Sequence, residues 1–382
     1  MVDCDTLGRG APMRPGIECL LEILRGQGVA RTIDAAEWEA ALVLAEEEHV
    51  LSWTVARLRL RQSSVPPEIA SSFAKIERDA ALAAFYWSSE LKGVLRALSQ
   101  SDILAVPLKG PFLAERLYGN AALRVSRDLD LLVRKADLPR AEAVLAAIGF
   151  IPGVPDDYHR SWYRRTTTVE LHHDVENPLA FNFHVEGALQ RAQPAVFQGE
   201  RCWQLAPDDE LLYLCLHAAR HRFELLSLIV DLQLAFEKLV HPATVWPPRP
   251  EVAELSNLLT LGLAIVRRLQ PNTAVVLSLP GTKEQNQHLE GLADRLWQQL
   301  LTQPSEPLNW RTAHAFFVEI ERPGWPRFRR HCRHLRILAG RAIGPDYEFA
   351  ARFGLHRTWQ VRMLRPFRLL GDLFRRRAPP LQ

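Results

Sequence analysis

Residues 124–133 read Arg-Val-Ser-Arg-Asp-Leu-Asp-Leu-Leu-Val, and this stretch decides the fold. Alternate side chains of a β-strand point to the same face. A strand over residues 127–133 therefore sets Asp128 and Asp130 side by side, with apolar side chains facing the core from the other face at Leu129, Leu131 and Val133. Neighbouring carboxylates repel each other, and partial burial strengthens the repulsion. A cation that prefers oxygen ligands, such as Mg²⁺, would remove it.

A third acid follows in a segment with the same alternation, Thr168-Val169-Glu170-Leu171-His172. If this segment forms a strand beside residues 127–133, Glu170 completes a cluster of three carboxylates that can hold two metal ions. Asp174, on the same predicted face, is the competing third acid. His172 also points to this face, where it either contacts a substrate or serves packing and hydrogen bonding.

The segment Lys109-Gly110-Pro111 joins a predicted strand, residues 103–108, to a predicted short helix, residues 112–117. Gly110 allows the backbone to approach a phosphate group closely, and a helix N-terminus offers free N–H groups to it. Lys109 can neutralise phosphate charge. Arg124 and Arg127 can do the same, or they can form ion pairs that position the aspartates.

The sequence resembles the nucleotidyltransferase-fold superfamily, and more closely a bacterial family known as uncharacterised nucleotidyltransferases. The resemblance rests on the order Leu108-Lys109-Gly110, Leu117-Tyr118-Gly119-Asn120, Leu123-Arg124 and residues 127–133. Residues 45–50, 169–172 and 214–221 fit the family as well, so the resemblance covers roughly residues 35–235. The superfamily usually has Gly-Ser after its first strand, whereas this chain has Lys109-Gly110-Pro111.

This resemblance implies a polymerase-β-like fold and a Mg²⁺-dependent enzyme, with Mn²⁺ as the alternative ion. Asp128, Asp130 and Glu170 would bind metal and carry catalysis, while Lys109, Gly110, Arg124 and Arg127 would hold a nucleoside triphosphate. The implied reaction moves a nucleoside monophosphate from an NTP, with ATP as the expected donor, to a small molecule, peptide or nucleic acid. Two alternatives stay open, a catalytically degenerate nucleotide- or partner-binding scaffold and a transferase that modifies nucleic acid such as tRNA.

The element pattern predicts an α+β protein in which helical regions flank a small mixed-sheet core. Residues 1–100 are expected to be helical, with a long helix over residues 67–99. The core, residues 101–206, contains strands near residues 103–108, 127–133 and 162–175 and a helix over residues 136–148. Residues 207–382 are again helical. We expect Asp208 or Asp209 to cap a helix that begins at Glu210, and a linker or loop over residues 241–250.

Charge is unevenly distributed along the 382-residue chain. The net charge is only +3, yet fifteen arginines and three acids follow from Arg322 onward. Apolar residues recur near helical spacing in this basic tail, which favours a terminal helix that packs on the domain with a solvated arginine face. Weak contact with nucleic acid or a membrane surface is the alternative.

The remaining features predict an ordinary protein of the cytoplasm. The five scattered cysteines, without metal-site or redox spacing, indicate free thiols in a reducing compartment. The chain shows neither a signal-peptide pattern nor an apolar run long enough to span a bilayer. His217 and His221 have a spacing that can bind zinc, but core histidines with hydrogen bonds are the favoured interpretation.

Overall fold

The computed structural model describes residues 12–26, 32–60, 65–155, 158–176, 181, 183–240, 250–277, 279, 281–305, 310–340, 344–355, 360–365 and 367–368. A small mixed sheet lies among many helices, which confirms the predicted α+β class. Within these ranges, no helix combines the length and apolar character needed to cross a membrane.

The N-terminal region is helical, as predicted. Its helices are α1 Ile17–Arg25, α2 Ala35–Glu47, α3 Leu51–Arg59, α4 Pro67–Ala70 and α5 Phe73–Gln100. The long helix expected over residues 67–99 is in fact two helices. The break lies at Ser71 and Ser72, whose hydroxyls donate hydrogen bonds to the carbonyls of Glu68 and Ile69 at 2.6 and 2.8 Å. Such local side-chain bonds compete with the helical backbone ladder.

Five strands form the central sheet in the order β1-β2-β5-β4-β3. Their bounds are β1 Ala105–Pro107, β2 Leu129–Val133, β3 Ile151–Pro155, β4 His159–Arg164 and β5 Thr167–His172. The pair β2 and β5 is parallel, and the other neighbouring strands are antiparallel. Helix α6 Gly110–Tyr118 follows β1, and helix α7 Leu138–Ala147 lies between β2 and β3.

Sequence patterns gave no indication of two β elements. The edge strand β3 contains two prolines and a glycine, and its burial pattern does not alternate clearly. The second is a hairpin of β6 Gln193–Phe197 and β7 Glu200–Gln204, which follows helix α8 Val185–Arg191. Strand β3 has no buried residue and the hairpin strands bury only Phe197 and Cys202, so neither element shows the hydrophobic periodicity on which strand prediction depends.

The C-terminal region is helical, as predicted. Its helices are α9 Pro207–Arg220, α10 Leu226–Leu239, α11 Pro250–Leu269, α12 Lys283–Thr302, α13 Trp310–Glu319, α14 Trp325–Gly340 and α15 Gly344–Ala351. The prediction that Asp208 or Asp209 caps a helix starting at Glu210 is wrong. Proline is favoured at the first helical position, and Pro207 occupies it, so both aspartates lie inside the first turn.

Two further predictions concern the end of the chain. The predicted linker lies almost wholly outside the described residues. Of the predicted apolar stripe in the basic tail, Leu355 is partly buried against Ala350 and Val361, whereas Met363 is 67 % and Phe367 is 65 % exposed. Its other members, Trp359, Leu370 and Phe374, lie outside the described residues.

The hydrophobic core has two main parts, one on each side of the sheet. On one side, Val106 and Leu132 pack with the N-terminal helices and with α9 to α11. On the other side, Leu129, Leu131 and Val133 pack with α5 and α7. Strand β2 is therefore buried on both faces.

Candidate functional site

The paired strands β2 and β5 bring the predicted acids together. Their register sets Asp130 opposite Glu170, and Leu132 opposite His172. The apolar neighbours of Asp130 are buried as predicted, with Leu129 1 % and Leu131 0 % exposed. Asp130 itself is only 3 % exposed, and Asp128, just before β2, is half-buried. The alternation read from the sequence thus describes the strand pair correctly.

His172 lies between the carboxylates. Its Nε2 donates toward Asp130 Oδ1 at 3.1 Å, and it lies 3.4 Å from Glu170 Oε2. The ring of His159, on β4, stacks on the His172 ring with centroids 5.0 Å apart, and His159 Nε2 is 3.8 Å from the same glutamate oxygen. The strand alternation indicated His172 at this face, whereas His159 was not identified from the sequence.

One group among the described residues has metal-ligand geometry. It consists of Asp130, Glu170 and His172, whose ligand atoms all lie within 4.8 Å of one another. Asp128 is outside this group, although its pKa responds to Asp130 and Glu170. The competing acid Asp174 lies beyond the end of β5, where its carboxylate accepts a hydrogen bond from the Val175 N–H at 2.8 Å.

The two aspartates have opposite pKa shifts. Burial and the negative charge of Asp130 raise the pKa of Asp128 to about 6. Burial also opposes ionisation of Asp130, but the Lys109 ammonium and the His172 hydrogen bond outweigh it, so the pKa of Asp130 lies well below its usual range. Repulsion within the cluster is therefore felt mainly at Asp128.

The histidine and glutamate stabilise each other's charged forms. Burial alone would lower the pKa of His172, yet its bonds to Asp130 and Glu170 raise it above the usual value. Burial alone would raise the pKa of Glu170, yet the His172 hydrogen bond holds it below the usual value. Without a metal ion, the cluster is thus stabilised by an imidazolium.

Lys109 and Gly110 lie at the start of α6, beside the cluster. Lys109 Nζ forms an ion pair with Asp130 Oδ2 at 3.0 Å, and the Lys109 side chain is 13 % exposed. Although burial opposes its charge, the nearby Asp130 carboxylate keeps the pKa of Lys109 above the usual value. Gly110 has a φ of 67°, in the left-handed region that favours glycine.

The two predicted phosphate-binding arginines have different surroundings. Arg124 forms a forked ion pair with Asp231 of α10, with Nε 2.9 Å from Oδ1 and Nη2 2.9 Å from Oδ2. Arg127 is exposed and, among the described residues, has no ion pair or hydrogen bond. The roles of the predicted site residues stay predictions. Asp231 was missed in the sequence, although a lone acid within an apolar helix is a signal of a buried partner.

Helix α9 presents aromatic and basic side chains toward Lys109. Tyr213 stacks on His217 with ring centroids 6.1 Å apart, and the rings of His217 and His221 meet edge-on with centroids 4.8 Å apart. Burial and the Lys109 charge lower the pKa of His217 well below its usual value, and burial and Arg220 lower that of His221 to about 4. Neither histidine belongs to the metal-capable group found among the described residues.

Arg220, also on α9, is another of the side chains that lie near Lys109. Its Nη1 donates to the hydroxyl of Tyr158 at 2.9 Å, and its Nε is 3.9 Å from Glu176 Oε2. The ring of Tyr158 in turn packs against the His159 ring, with centroids 4.8 Å apart. These residues lie far apart in sequence, so the periodicity of single segments could not indicate that they meet.

Solved structures with a weak likeness to the chain include an antibiotic-resistance factor and a nucleotidyltransferase-like protein. The antibiotic-resistance factor ANT(2'')-Ia in solution is 14 % identical over 40 % of this chain and 84 % of its own, with a TM-score of 0.32. Its crystal structure with adenylyl-2''-tobramycin is 12 % identical over 46 % and 97 %, with a TM-score of 0.34. An antigenic nucleotidyltransferase-like protein from Paracoccidioides brasiliensis is 16 % identical over 49 % and 89 %, also at 0.34.

These likenesses are too low to assign a substrate or a residue role, and no curated protein matches the chain. The match to a protein family covers more of the chain than these structures do. Residues 34–269 match the family described as "uncharacterised nucleotidyltransferase". Because the match covers more than half of the 382 residues and includes the whole carboxylate cluster, the chain belongs to the family of uncharacterised nucleotidyltransferases.

Proposed function

We propose that this protein transfers a nucleoside monophosphate from an NTP to an acceptor, with ATP as the donor and a divalent ion, Mg²⁺ or Mn²⁺, as cofactor. The observation that carries the proposal is the register of β2 and β5, which sets Asp130 opposite Glu170 with Asp128 two residues earlier. The reaction would take place in the cytoplasm. Cys202, Cys215 and Cys332 are free thiols, as expected in a reducing compartment.

The chemistry of the donor set fits a divalent cation. Asp130, Glu170 and His172 place their ligand atoms within 4.8 Å of one another. Burial and the charge of Asp130 raise the pKa of Asp128, and a cation would relieve the repulsion between these carboxylates. Carboxylates suit Mg²⁺, and an imidazole nitrogen in the set would also suit Mn²⁺. A bound ion would neutralise phosphate charge and lower the pKa of an acceptor hydroxyl.

The start of α6 is the proposed phosphate-binding element. Lys109 has three N–H donors, so it can hold Asp130 and a phosphate oxygen together. Gly110 keeps the first turn of the helix open to an anion. The exposed guanidinium of Arg127 can contact a phosphate from the solvent side. These residues bind and orient the triphosphate beside the carboxylates.

Helix α9 is the proposed cover of the reacting groups. Burial lowers the pKa of His217, and the nearby charges of Lys109, Arg220 and Arg124 lower it further. Cationic side chains close to the carboxylates can contact a polyanion such as a triphosphate. Because the lowered pKa values keep His217 and His221 neutral near pH 7, their imidazoles can accept hydrogen bonds there.

The test is thermal unfolding with each NTP, with and without Mg²⁺. A ligand present at about 100 times its Kd stabilises the folded state by about 2.7 kcal/mol. We expect such a shift with one NTP, only with Mg²⁺, and its loss in Asp128→Ala/Asp130→Ala. Asp174→Ala is the matched control, because its carboxylate lies outside the metal-capable group, and it should retain the shift.

Two outcomes would contradict parts of this proposal. Absence of a shift with every NTP would favour the alternative of a catalytically degenerate nucleotide- or partner-binding scaffold. Loss of the shift in Asp174→Ala, but not in Glu170→Ala, would make Asp174 the third acid. Release of pyrophosphate in the presence of candidate acceptors would then separate catalysis from binding.

A nucleic-acid acceptor, such as a tRNA, is a second candidate because of the surface of α14. Trp325 and Phe328 are 67 % and 55 % exposed, and their rings stack with centroids 5.4 Å apart. Arg329, next to them, is also exposed. Exposed aromatic rings beside arginines can stack on unpaired bases and contact phosphates. A membrane surface is the other partner proposed for this basic region.

A further inference from the structure

The segment that leads into the carboxylate cluster is connected to the C-terminal helices through one buried acid. Arg124 follows a short 3₁₀ turn, Ala121–Leu123, and residues 125–128 belong to no helix or strand. The Arg124 guanidinium contacts both oxygens of Asp231, with Nε 2.9 Å from Oδ1 and 3.0 Å from Oδ2, and Nη2 2.9 Å from Oδ2. This forked geometry fixes the orientation of the arginine as well as its position.

A second donor from the same segment reaches this acid. The hydroxyl of Tyr118, at the end of α6, donates to Asp231 Oδ1 at 2.6 Å. Burial and the Asp231 carboxylate raise the pKa of Tyr118 well above its usual value, so the hydroxyl keeps its proton. The Tyr118 ring also packs edge-on against Trp53, with centroids 5.2 Å apart. Asp231 thus holds both ends of the connection from α6 to Arg124.

The whole contact is buried. Asp231 has 3 % and Arg124 has 12 % of its side chain exposed. Helix α10 is otherwise apolar around this position, with Val230 and Leu232 as the direct neighbours of Asp231. Removal of one partner from a buried ion pair leaves an uncompensated charge, which the remaining partner can avoid only by moving. If Asp231 loses its charge, the movement falls on Arg124, four residues before Asp128.

We propose that Asp231 is a positioning residue, which holds Asp128 and Asp130 in place for metal and nucleotide binding through its ion pair with Arg124. The inference rests on the proposed function and deepens it. It assigns the guanidinium of Arg124 to the support of the site, in place of the phosphate contact expected from the sequence. It also makes α10 part of the active-site scaffold.

The test compares Asp231→Asn with a matched pair elsewhere. Asp209, 1 % exposed on α9, forms a forked ion pair with Arg191, with distances of 2.8 and 2.9 Å. Asp209→Asn therefore removes the same kind of buried contact without touching residues 124–128. Both variants should lose thermal stability. At a temperature where both are fully folded, Mg²⁺-dependent ATP affinity should fall on the order of tenfold in Asp231→Asn alone, as when a group that orients metal ligands is removed.

Several outcomes decide the matter. If wild type binds ATP with Mg²⁺ and Asp231→Asn binds it equally well, the inference is wrong and the proposed function stands. If ATP affinity falls equally in both variants, the contact between Arg124 and Asp231 contributes only to general stability, and the inference is again wrong. If wild type shows no Mg²⁺-dependent ATP binding, the proposed function fails and the inference fails with it. Should Asp231→Asn not fold, Asp231→Glu replaces it, since it keeps the charge while it displaces the fork, and the same comparison applies.

Discussion

Asp128 is the residue at which the carboxylate cluster is least compensated. Lys109 and His172 both contact Asp130 directly, at 3.0 and 3.1 Å. Asp128 feels the charges of Asp130 and Glu170 in addition to its own burial, and its pKa rises to about 6. The fold therefore maintains an unfavourable charge at neutral pH, as is common where a protein binds a cation.

This leads to a prediction for Asp128→Asn in metal-free protein. The folded-state pKa of Asp128, about 6, lies above its ordinary value of 3.8. Its contribution to stability is therefore fully present below about pH 3.8 and is lost as the pH rises through 6. Removal of the charge should raise the free energy of unfolding above pH 6, with a smaller gain at pH 5. Urea unfolding at pH 5, 6, 7 and 8 measures this difference.

The control for that series is Asp79→Asn, since the Asp79 side chain is 55 % exposed on α5, outside the cluster. Its stability difference from wild type should stay nearly constant over the same pH range. A stability difference for Asp128→Asn that does not change with pH would mean that the Asp128 carboxylate is not under repulsion.

Residue patterns predicted the acids of the cluster because Asp130 lies within β2 and Glu170 within β5, both between apolar neighbours, and Asp128 directly precedes β2. Asp128, Asp130 and Glu170 share one face, so local sequence sufficed to propose them. Asp231 was not predicted, because its contact with Arg124 joins segments 107 residues apart. His159 escaped notice for a similar reason, since it meets Glu170 only through the pairing of β4 with β5.

Among the elements, β2 and β5 were predicted best and β3 worst. Strands β2 and β5 are rich in buried residues, and burial is what hydrophobic periodicity reports. Strand β3 exposes Ile151 and Val154 at 70 % and 50 % and contains prolines. The pairing order of the sheet could not be derived from any one segment, because register depends on contacts between distant parts of the chain.

The start of α6 gives a prediction at the scale of one element. Gly110 has a φ of 67°, where a residue with a Cβ is strained by about 1–2 kcal/mol. Gly110→Ala should lower stability and shift the first turn of α6 with Lys109. We expect weaker Mg²⁺-dependent ATP binding, measured by titration at a temperature where the variant is folded.

Gly149→Ala is the matched control, because Gly149 also has a positive φ, 89°, after the end of α7. It should lose comparable stability and keep its ATP affinity. If both variants bind ATP as wild type does, the α6 N-terminus does not hold the phosphates, and the proposed role of Gly110 is wrong.

At the scale of the whole molecule, residues of all three predicted regions lie in one of the two main parts of the hydrophobic core. Val106 and Leu132 of the sheet lie in the same buried cluster as Leu20 of α1 and Leu258 of α11. The region boundaries at residues 100 and 206 stay a prediction. Helices of the N-terminal and C-terminal regions together bury one face of the sheet that carries the site.

The basic C-terminal surface gives the prediction that belongs to the whole chain. If the acceptor is a nucleic acid, single-stranded RNA should bind with an affinity that falls steeply with salt, because each phosphate contact releases counterions. Trp325→Ala/Phe328→Ala/Arg329→Gln should weaken this binding and reduce its salt slope by about 0.7 for one lost contact. Arg96→Gln, a change at a 54 % exposed arginine on α5, is the control and should bind as wild type does.

An RNA affinity that is independent of salt, or equal in the triple variant and wild type, would remove the nucleic-acid acceptor from consideration. Vesicles with anionic lipid, tested with the same variants, would show whether the surface contacts membranes instead. Neither result affects the test of nucleotide binding, because the changed side chains lie outside the carboxylate cluster.

The parallel pairing of β2 with β5 also bears on the order in which the protein is made. A ribosome releases Asp128 and Asp130 first, and Glu170 emerges only after α7, β3 and β4. Asp231, which secures Arg124, comes later still. Contacts between distant segments form only when the later one is available. Under the proposed function, an unfinished chain would carry an incomplete set of ligands, and we expect it to bind a metal–nucleotide complex fully only after α10 has been synthesised and has docked.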